Sequence, residues 1–300
     1  MTSVVPGGRR GDASRGQGTL SLRYEDVAQD GRLKPIAMPH GMGVVAYRKL
    51  WNPTPLASAL RERGILPILS RLKMESLGGP VSVLQPVEVQ AWYELCHLRG
   101  SNGEVQRVLL NLGADLYGSR GRTHDPQPLA GGERIQVGRV FAEHVFTRPF
   151  AAPEARRVSG ADFEGLDIGA ELPTPDGRGS LAPPDASRAL DADFVADPAD
   201  TVFGLGQTDS NQHINSLAYI PLFEATALRR LADHGRATEQ FQLREIELTY
   251  RKPCFAGDRM RSASRVFQRD TTLLVRALMA PHGASVERAH CTCALTFEPR

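Results

Sequence analysis

Asp209, Asn211 and His213 stand at alternate positions in the densest polar stretch of the chain, GQTDSNQHIN at 206–215, which runs directly into Leu217 and Tyr219. A helical pattern begins there, so an acid, an amide and an imidazole lie just ahead of backbone N–H groups that have no intrahelical partner. That arrangement suits carbonyl chemistry. The positive helix end and its free amides can polarise a thioester or ester oxygen. A nearby carboxylate can activate water or attack directly, with Asn211 or His213 orienting the reactants. One donor aimed at a developing oxyanion is worth on the order of 3 kcal/mol. The same residue types also suit a plain capped helix start, with Asn215 as the cap and His213 as a hydrogen-bonded loop residue.

The elements that position this stretch follow from periodicity. Leu217, Ile220, Ala227, Leu228 and Leu231 recur at three- and four-residue steps, while Arg229, Arg230 and Asp233 fall off that stripe. Residues 216–234 are therefore expected to form an amphipathic helix, closed by Gly235 as its C-terminal cap. Ile246, Leu248 and Tyr250 then alternate with Glu245, Glu247 and Thr249, and further alternating runs occupy 259–267, 272–280 and 286–298. This predicts one helix followed by an antiparallel meander. Ala289, Cys291, Cys293, Leu295 and Phe297 share one strand face, so the two cysteines are expected to be small buried hydrophobes rather than ligands.

The N-terminal half repeats the order. A loop MPHGMG and a helical region interrupted by Pro53 and Pro55 precede strand-like runs at 68–76, 81–98, 104–117 and 134–146. The chain reads as two copies of one α+β unit, each a curled antiparallel sheet around a central helix, joined edge to edge or face to face. The expected divisions are a disordered lead-in at 1–20, a first unit at 21–150, a Pro/Gly/Ala/Asp-rich linker at 151–199 and a second unit at 200–300.

Composition limits the alternatives. The 36 basic and 34 acidic residues leave a net charge of +2, which gives no reason to expect a nucleic-acid partner. The four cysteines form neither a disulfide framework nor a C-x-x-C pair, so a reducing compartment is the expectation. With no long apolar run and no secretory leader, the protein is expected to be cytoplasmic, without a membrane partner.

The segment Asp209-Ser210-Asn211-Gln212-His213-Ile214-Asn215-Ser216-Leu217-Ala218-Tyr219, followed by Phe223 and Glu224, resembles the signature of hotdog-fold thioesterases, especially plant-type acyl-acyl carrier protein thioesterases. LTYRKPCFAGDRM at 248–260 is similar to that family's next element. The resemblance covers about 200–298 and implies a double hotdog: two curved antiparallel sheets, each wrapped around a helix, with one chain supplying both halves of the pocket. It places the catalytic carboxylate on Asp209, with Asn211 and His213 as polar partners and the backbone after Gln212 near the thioester carbonyl. Glu224 matches an acidic helix position that some relatives use in catalysis and others structurally. It implies an acyl carrier protein or coenzyme A thioester as substrate and no metal or redox cofactor. It leaves open a monomer with an internal pseudo-dimer or a homodimer.

This sequence departs from the family pattern at two positions. Gln207 stands where many hotdog thioesterases carry an acid, and Pro253 where plant-type enzymes carry a Glu beside the Cys. Cys254 is expected to be structural, since no activating base is evident. The departures leave room for a hotdog dehydratase, acyltransferase or decarboxylase acting on carrier-bound acyl groups in fatty acid or polyketide biosynthesis, and for a non-catalytic acyl-binding protein. His40, in the first unit's loop, is either a relic of duplication or a solvated loop residue. Arg229, Arg230, Arg251, Lys252, Arg259 and Arg261 are candidates to meet coenzyme A phosphates or an acidic carrier, with solvated surface charge as the alternative. Asp115, Asp125, Glu133 and His144 have no spacing that defines a metal site, and GGERIQVGR at 131–139 and GRGS at 177–180 lack the context of a phosphate cradle.

Overall fold

The computed structural model describes residues 14–101, 103–124, 132–171 and 181–300. In the first half, β1 (Arg15–Leu20) precedes α1 (Met38–Met42), which continues as a π-helical stretch, Gly43–Trp51, and then α2 (Pro55–Glu62). Strands β2 (Leu66–Ser76), β3 (Val87–Arg99), β4 (Val105–Ser119) and β5 (Arg134–Thr147) follow. The connection carries two short strands, β6 (Ala170–Glu171) and β7 (Arg188–Ala189). The second half is β8 (Val195–Val202), α3 (Tyr219–Asp233), β9 (Phe241–Tyr250), β10 (Arg259–Arg269), β11 (Thr272–Pro281) and β12 (Cys291–Pro299).

The two halves join edge to edge in one sheet of order β1-β3-β4-β5-β2-β9-β12-β11-β10-β7, with β6 on β3 and β8 on β10. The seam is the antiparallel pairing of β2 with β9, from Arg71↔Thr249 to Glu75↔Glu245. Leu72, Met74, Ile246 and Leu248 point into the core at this seam. On the other face Arg71 meets Glu247 at 2.7 Å, and Lys73 bridges Glu75 at 2.7 Å and Glu245 at 2.8 Å. Asp30 of the first half accepts from Arg244 of β9 at 2.6 Å, a second tie across the seam.

The helices follow local chemistry. Thr54 caps α2 by accepting from the Ala57 N–H at 3.1 Å, with Pro55 at the first helical position, so the break at Pro53 and Pro55 separates two helices. α3 buries Ile220, Phe223, Ala227 and Leu231 along one stripe, and Gly235 ends it at φ 68°, a conformation glycine adopts without steric cost.

Three expectations change. The lead-in expected over 1–20 gives way at Arg15, because β1 pairs with β3. Gly16 and Gly18, which read as disorder, permit close packing on the helix: a Cβ would come within 2.9 Å of Leu50 and 2.6 Å of Val45. The linker's last residues, 195–199, belong to β8, an edge strand that tolerates Pro198 because it lies at the sheet margin. The runs at 81–98 and 286–298 become strands only from Val87 and Cys291. Residues 1–13 and the linker residues 172–180, which include GRGS, lie outside the described residues.

Asp191 pins the linker to α3. Its buried carboxylate accepts from Arg230, from His234 Nε2 at 2.8 Å and from the Val266 N–H at 2.8 Å. Burial pushes this carboxyl up, but the donors from Arg230, Val266 and His234 outweigh it and hold it below the usual carboxylate range. A depressed folded pKa means the contribution is complete above the unfolded value and is lost as pH falls through the folded one. Asp191→Ala should therefore cost about 3 kcal/mol at neutral pH. In urea unfolding, its gap from wild type should narrow below pH 4, following the unfolded Asp pKa of about 3.9. An equal gap at both pH values would contradict this role.

Candidate active site

The polar stretch ahead of α3 folds into a tight hairpin. The Asp209 N–H donates to the His213 carbonyl at 3.0 Å, and the Gln212 N–H donates back to the Asp209 carbonyl at 3.0 Å. Gln212 takes the left-handed conformation, φ 64°, that closes this three-residue loop. The Asp209 side chain reinforces the turn, its Oδ1 accepting from the Asn211 N–H at 2.8 Å. The hairpin is tied at its base by Asn215 N–H to the Gln207 carbonyl and by Ile214 N–H to the Cys254 carbonyl, both 2.8 Å. Asn215 is the cap its type suggested, with Oδ1 accepting from the Leu217 N–H at 2.9 Å at the start of a 3-10 turn, Ser216–Ala218, that leads into α3.

Asp209 and His213 are thus neighbours on one rim. Both are partly exposed, whereas Asn211 is exposed and joins the turn through its backbone N–H. The His213 ring stands edge-on to Phe255 at 5.1 Å between centroids. Among the described residues, the N–H groups of His213, in the hairpin, and of Ser216, the first residue of the 3-10 turn, have no protein acceptor. Gln207 Oε1 accepts from the Gly204 N–H at 2.9 Å and so serves the loop's own geometry.

Behind the rim lies a cluster that spacing alone did not assemble. Phe203, Tyr219 and Tyr250 stack edge-on in series, at 5.5 Å and 5.8 Å, and the Tyr250 hydroxyl donates to the Ser216 carbonyl at 2.8 Å. Burial raises both tyrosines, and Tyr219 also interacts with the Cys254 thiol. His290 Nδ1 lies 3.5 Å from Cys254 Sγ, so a base stands nearer this thiol than the sequence indicated. Sequence could not supply the pairing, because it depends on the β9–β12 register that sets Cys291 opposite Tyr250.

Cys254 is nevertheless fully buried, and burial raises its pKa more than the Tyr219 contact lowers it. A buried thiol held protonated is a poor nucleophile. Native protein should resist iodoacetamide at Cys254, with alkylation appearing only on unfolding. Rapid native alkylation, read by peptide mass, would contradict a structural thiol.

The remaining candidates separate. Glu224 lies on α3 beyond Tyr219 and lines a cavity with Lys34, Ser76 and Gln242 that none of Asp209, Asn211 and His213 lines. His40 falls within α1 rather than in a loop ahead of it, at an exposed position. Arg229 is engaged by Asp197, Arg230 by Asp191, and Arg259 and Arg261 by Asp200. Arg251 and Lys252 are exposed, and neither has an ion pair among the described residues.

Asp115 accepts from Gln136 and Arg139, Glu133 pairs with Arg120, and burial drops the His144 pKa to about 4. Asp125 lies outside the described residues, and among those described no group of three His, Cys, Asp or Glu could hold a metal. No helix among them is long and apolar enough to cross a membrane.

No family model matches the chain, and no curated protein matches it. Solved structures do. A protein from Lactobacillus plantarum assigned as an oleoyl thioesterase superimposes with a TM-score of 0.60 at 11% identity, covering 95% of this chain and 96% of that one. The 12:0-ACP thioesterase from Umbellularia californica gives 0.57 at 16% identity, covering 95% and 94%. An acyl-ACP thioesterase from Bacteroides thetaiotaomicron gives 0.53 at 17% identity, covering 95% and 98%. With two helix-wrapping halves of one continuous sheet matched over nearly their whole lengths, the chain has the double-hotdog fold of these thioesterase structures.

Proposed function

We propose that the protein hydrolyses an acyl thioester carried on acyl carrier protein or coenzyme A. The observation that carries this reading is the hairpin of 209–213, which presents a carboxylate and an imidazole on one rim beside two uncommitted amides. Asp209 takes a proton from water as general base, or attacks the carbonyl carbon itself. His213 orients the reactants, and the His213 and Ser216 amides receive the oxyanion. Collapse of the tetrahedral adduct breaks the carbon–sulfur bond, and the departing thiolate takes up a proton; where Asp209 itself has attacked, water then cleaves the acyl–Asp209 anhydride, releasing the acid and restoring the carboxylate. None of these steps calls for a metal or redox cofactor.

The exposed rim supports a macromolecular carrier. Phe255, 47% exposed, borders His213, the exposed Arg251 and Lys252 precede it by four and three residues, and Leu205, 81% exposed, precedes Asp209 by four, so apolar surface and positive charge both occur close in sequence to the rim. An acidic carrier protein or the phosphates of coenzyme A would suit it.

Gln207 and Pro253, where the family that the sequence resembles carries acids, leave room for a second reading in which the same rim dehydrates or transfers the acyl group. Intact-mass spectrometry over a panel of acyl carrier protein and coenzyme A thioesters separates the two. Hydrolysis gives free carrier thiol, dehydration a loss of water with the thioester intact, and transfer an acylated protein. Thioesters that remain unchanged on every carrier would overturn both readings.

A further inference from the structure

The seam of the sheet relates the halves by a local two-fold axis through the centre of the β2–β9 pairing, between Lys73 and Glu247. That axis takes Ser76 onto Tyr250, and the first half repeats the rim's local order, a 3-10 turn, an isolated bridge (Val27↔Leu33 for Thr208↔Ile214) and a second 3-10 turn, so the Asp209 rim has a counterpart on the far side of the seam. A cavity of about 60 Å³ lies there, where the first half's loop and the end of β2 meet α3 and the start of β9. Its walls are apolar, with Leu33, Ile220 and Leu243 among them, and its polar groups are Lys34, Ser76, Glu224 and Gln242. At about 10–15 Å³ per water-sized group, it has room for roughly four to six non-hydrogen atoms.

Two of these polar groups are unmatched by the fold. Ser76 is 6% exposed, and its hydroxyl is buried with no hydrogen-bond partner, which ordinarily costs about 1–3 kcal/mol. The Glu224 carboxyl has no hydrogen bond or ion pair among the described residues, and Lys34 is the one cation that bears on it. The nearby Asp30 is engaged by Arg244 at 2.6 Å. Lys73, Glu75 and Glu245 bond one another on the opposite face of the seam. Lys34, Ser76 and Gln242 together supply an ammonium, a hydroxyl and an amide to one small, otherwise apolar space.

We propose that this cavity is a binding site for a short-chain monocarboxylic acid of the size of acetate to butyrate. The carboxyl group would sit among Lys34, Ser76, Gln242 and Glu224, with its alkyl end against Ile220 and Leu243. Charge balance sets the protonation. Lys34 is the one cation that bears on Glu224, so a bound carboxylate would stand beside a second carboxyl with a single ammonium to serve both, and like charges so placed are relieved by one shared proton. Burial already raises the Glu224 carboxyl, which makes that proton easier to hold. In this assignment Glu224 binds a ligand and takes no part in the chemistry at Asp209.

Isothermal titration of the full chain with acetate, propionate and butyrate, in buffers of different ionisation enthalpy, tests this without turnover. It therefore stands or falls separately from the hydrolase reading. The expected result is one saturable site per chain that takes up about one proton, its Kd rising about tenfold per pH unit above neutrality, the slope for one linked proton. Glu224→Gln, an uncharged donor, should bind without that pH dependence and more tightly than wild type at pH 8. Ser76→Ala and Lys34→Ala should each weaken binding about tenfold. Absence of saturable heat with all three acids would overturn the proposal, showing a cavity that holds water alone. So would a pH dependence unchanged in Glu224→Gln.

Discussion

Phe223→Ala is expected to lower the unfolding free energy by about 3–5 kcal/mol, the range for removing an aromatic ring from a packed core. Phe223 is 0% exposed at the middle of α3, on the stripe that also buries Ile220, Ala227 and Leu231 beneath the second half's sheet. The helix is held chiefly by that stripe, because intrinsic helix propensity over fifteen residues is marginal on its own. The ring has few ways to be replaced, since the strands around it are fixed by their ladders and the cavity can collapse only in part. Urea unfolding followed by circular dichroism reads the effect. A loss below about 1 kcal/mol, the scale of a substitution outside the core, would mean that α3 is not the buried centre of this half.

The stripe that makes this prediction was legible in the sequence, and so was most of the second half. Leu217, Ile220, Ala227, Leu228 and Leu231 defined the helix, and the alternation at 246–250 and 289–297 defined strands and buried Cys291 and Cys293, which are 1% and 2% exposed. Repetition of the same order in the first half yielded the paired architecture. Less visible was whatever depends on register or close approach. Gly16 and Gly18 read as disorder, although their missing side chains are what let β1 lie on the helix. Asp191 and Asp197 read as linker composition, yet each receives an arginine from α3.

At the candidate site, local sequence was informative about the hairpin because its bonds join near neighbours, Asp209 to Asn211, Gln212 and His213. The neighbours brought in from afar, His290 beside Cys254 and Lys34 near Glu224, required strand pairing across the whole chain.

Asp209→Asn is expected to reduce kcat/KM for thioester hydrolysis by about 10²–10⁴-fold, the usual contribution of a positioned general base. Asparagine is the informative replacement. Its Oδ1 can still accept from the Asn211 N–H that closes the turn, so the hairpin is kept while the basic oxygen is lost. His213→Ala should also reduce turnover, while removing the edge-on contact with Phe255. Thermal unfolding should place Asp209→Asn within a few degrees of wild type, consistent with the small cost of a surface change that preserves its hydrogen bond. A large loss of stability together with the loss of rate would instead make Asp209 a turn residue alone.

The most direct test is the fate of an acyl-carrier thioester in ¹⁸O-labelled water, followed by mass spectrometry for wild type and Asp209→Asn side by side. Hydrolysis at this rim predicts free carrier thiol and a carboxylic acid carrying ¹⁸O from wild type, with the thioester left essentially intact by the folded variant. Equal release by both proteins, or loss of water from an acyl chain still attached to its carrier, would contradict it.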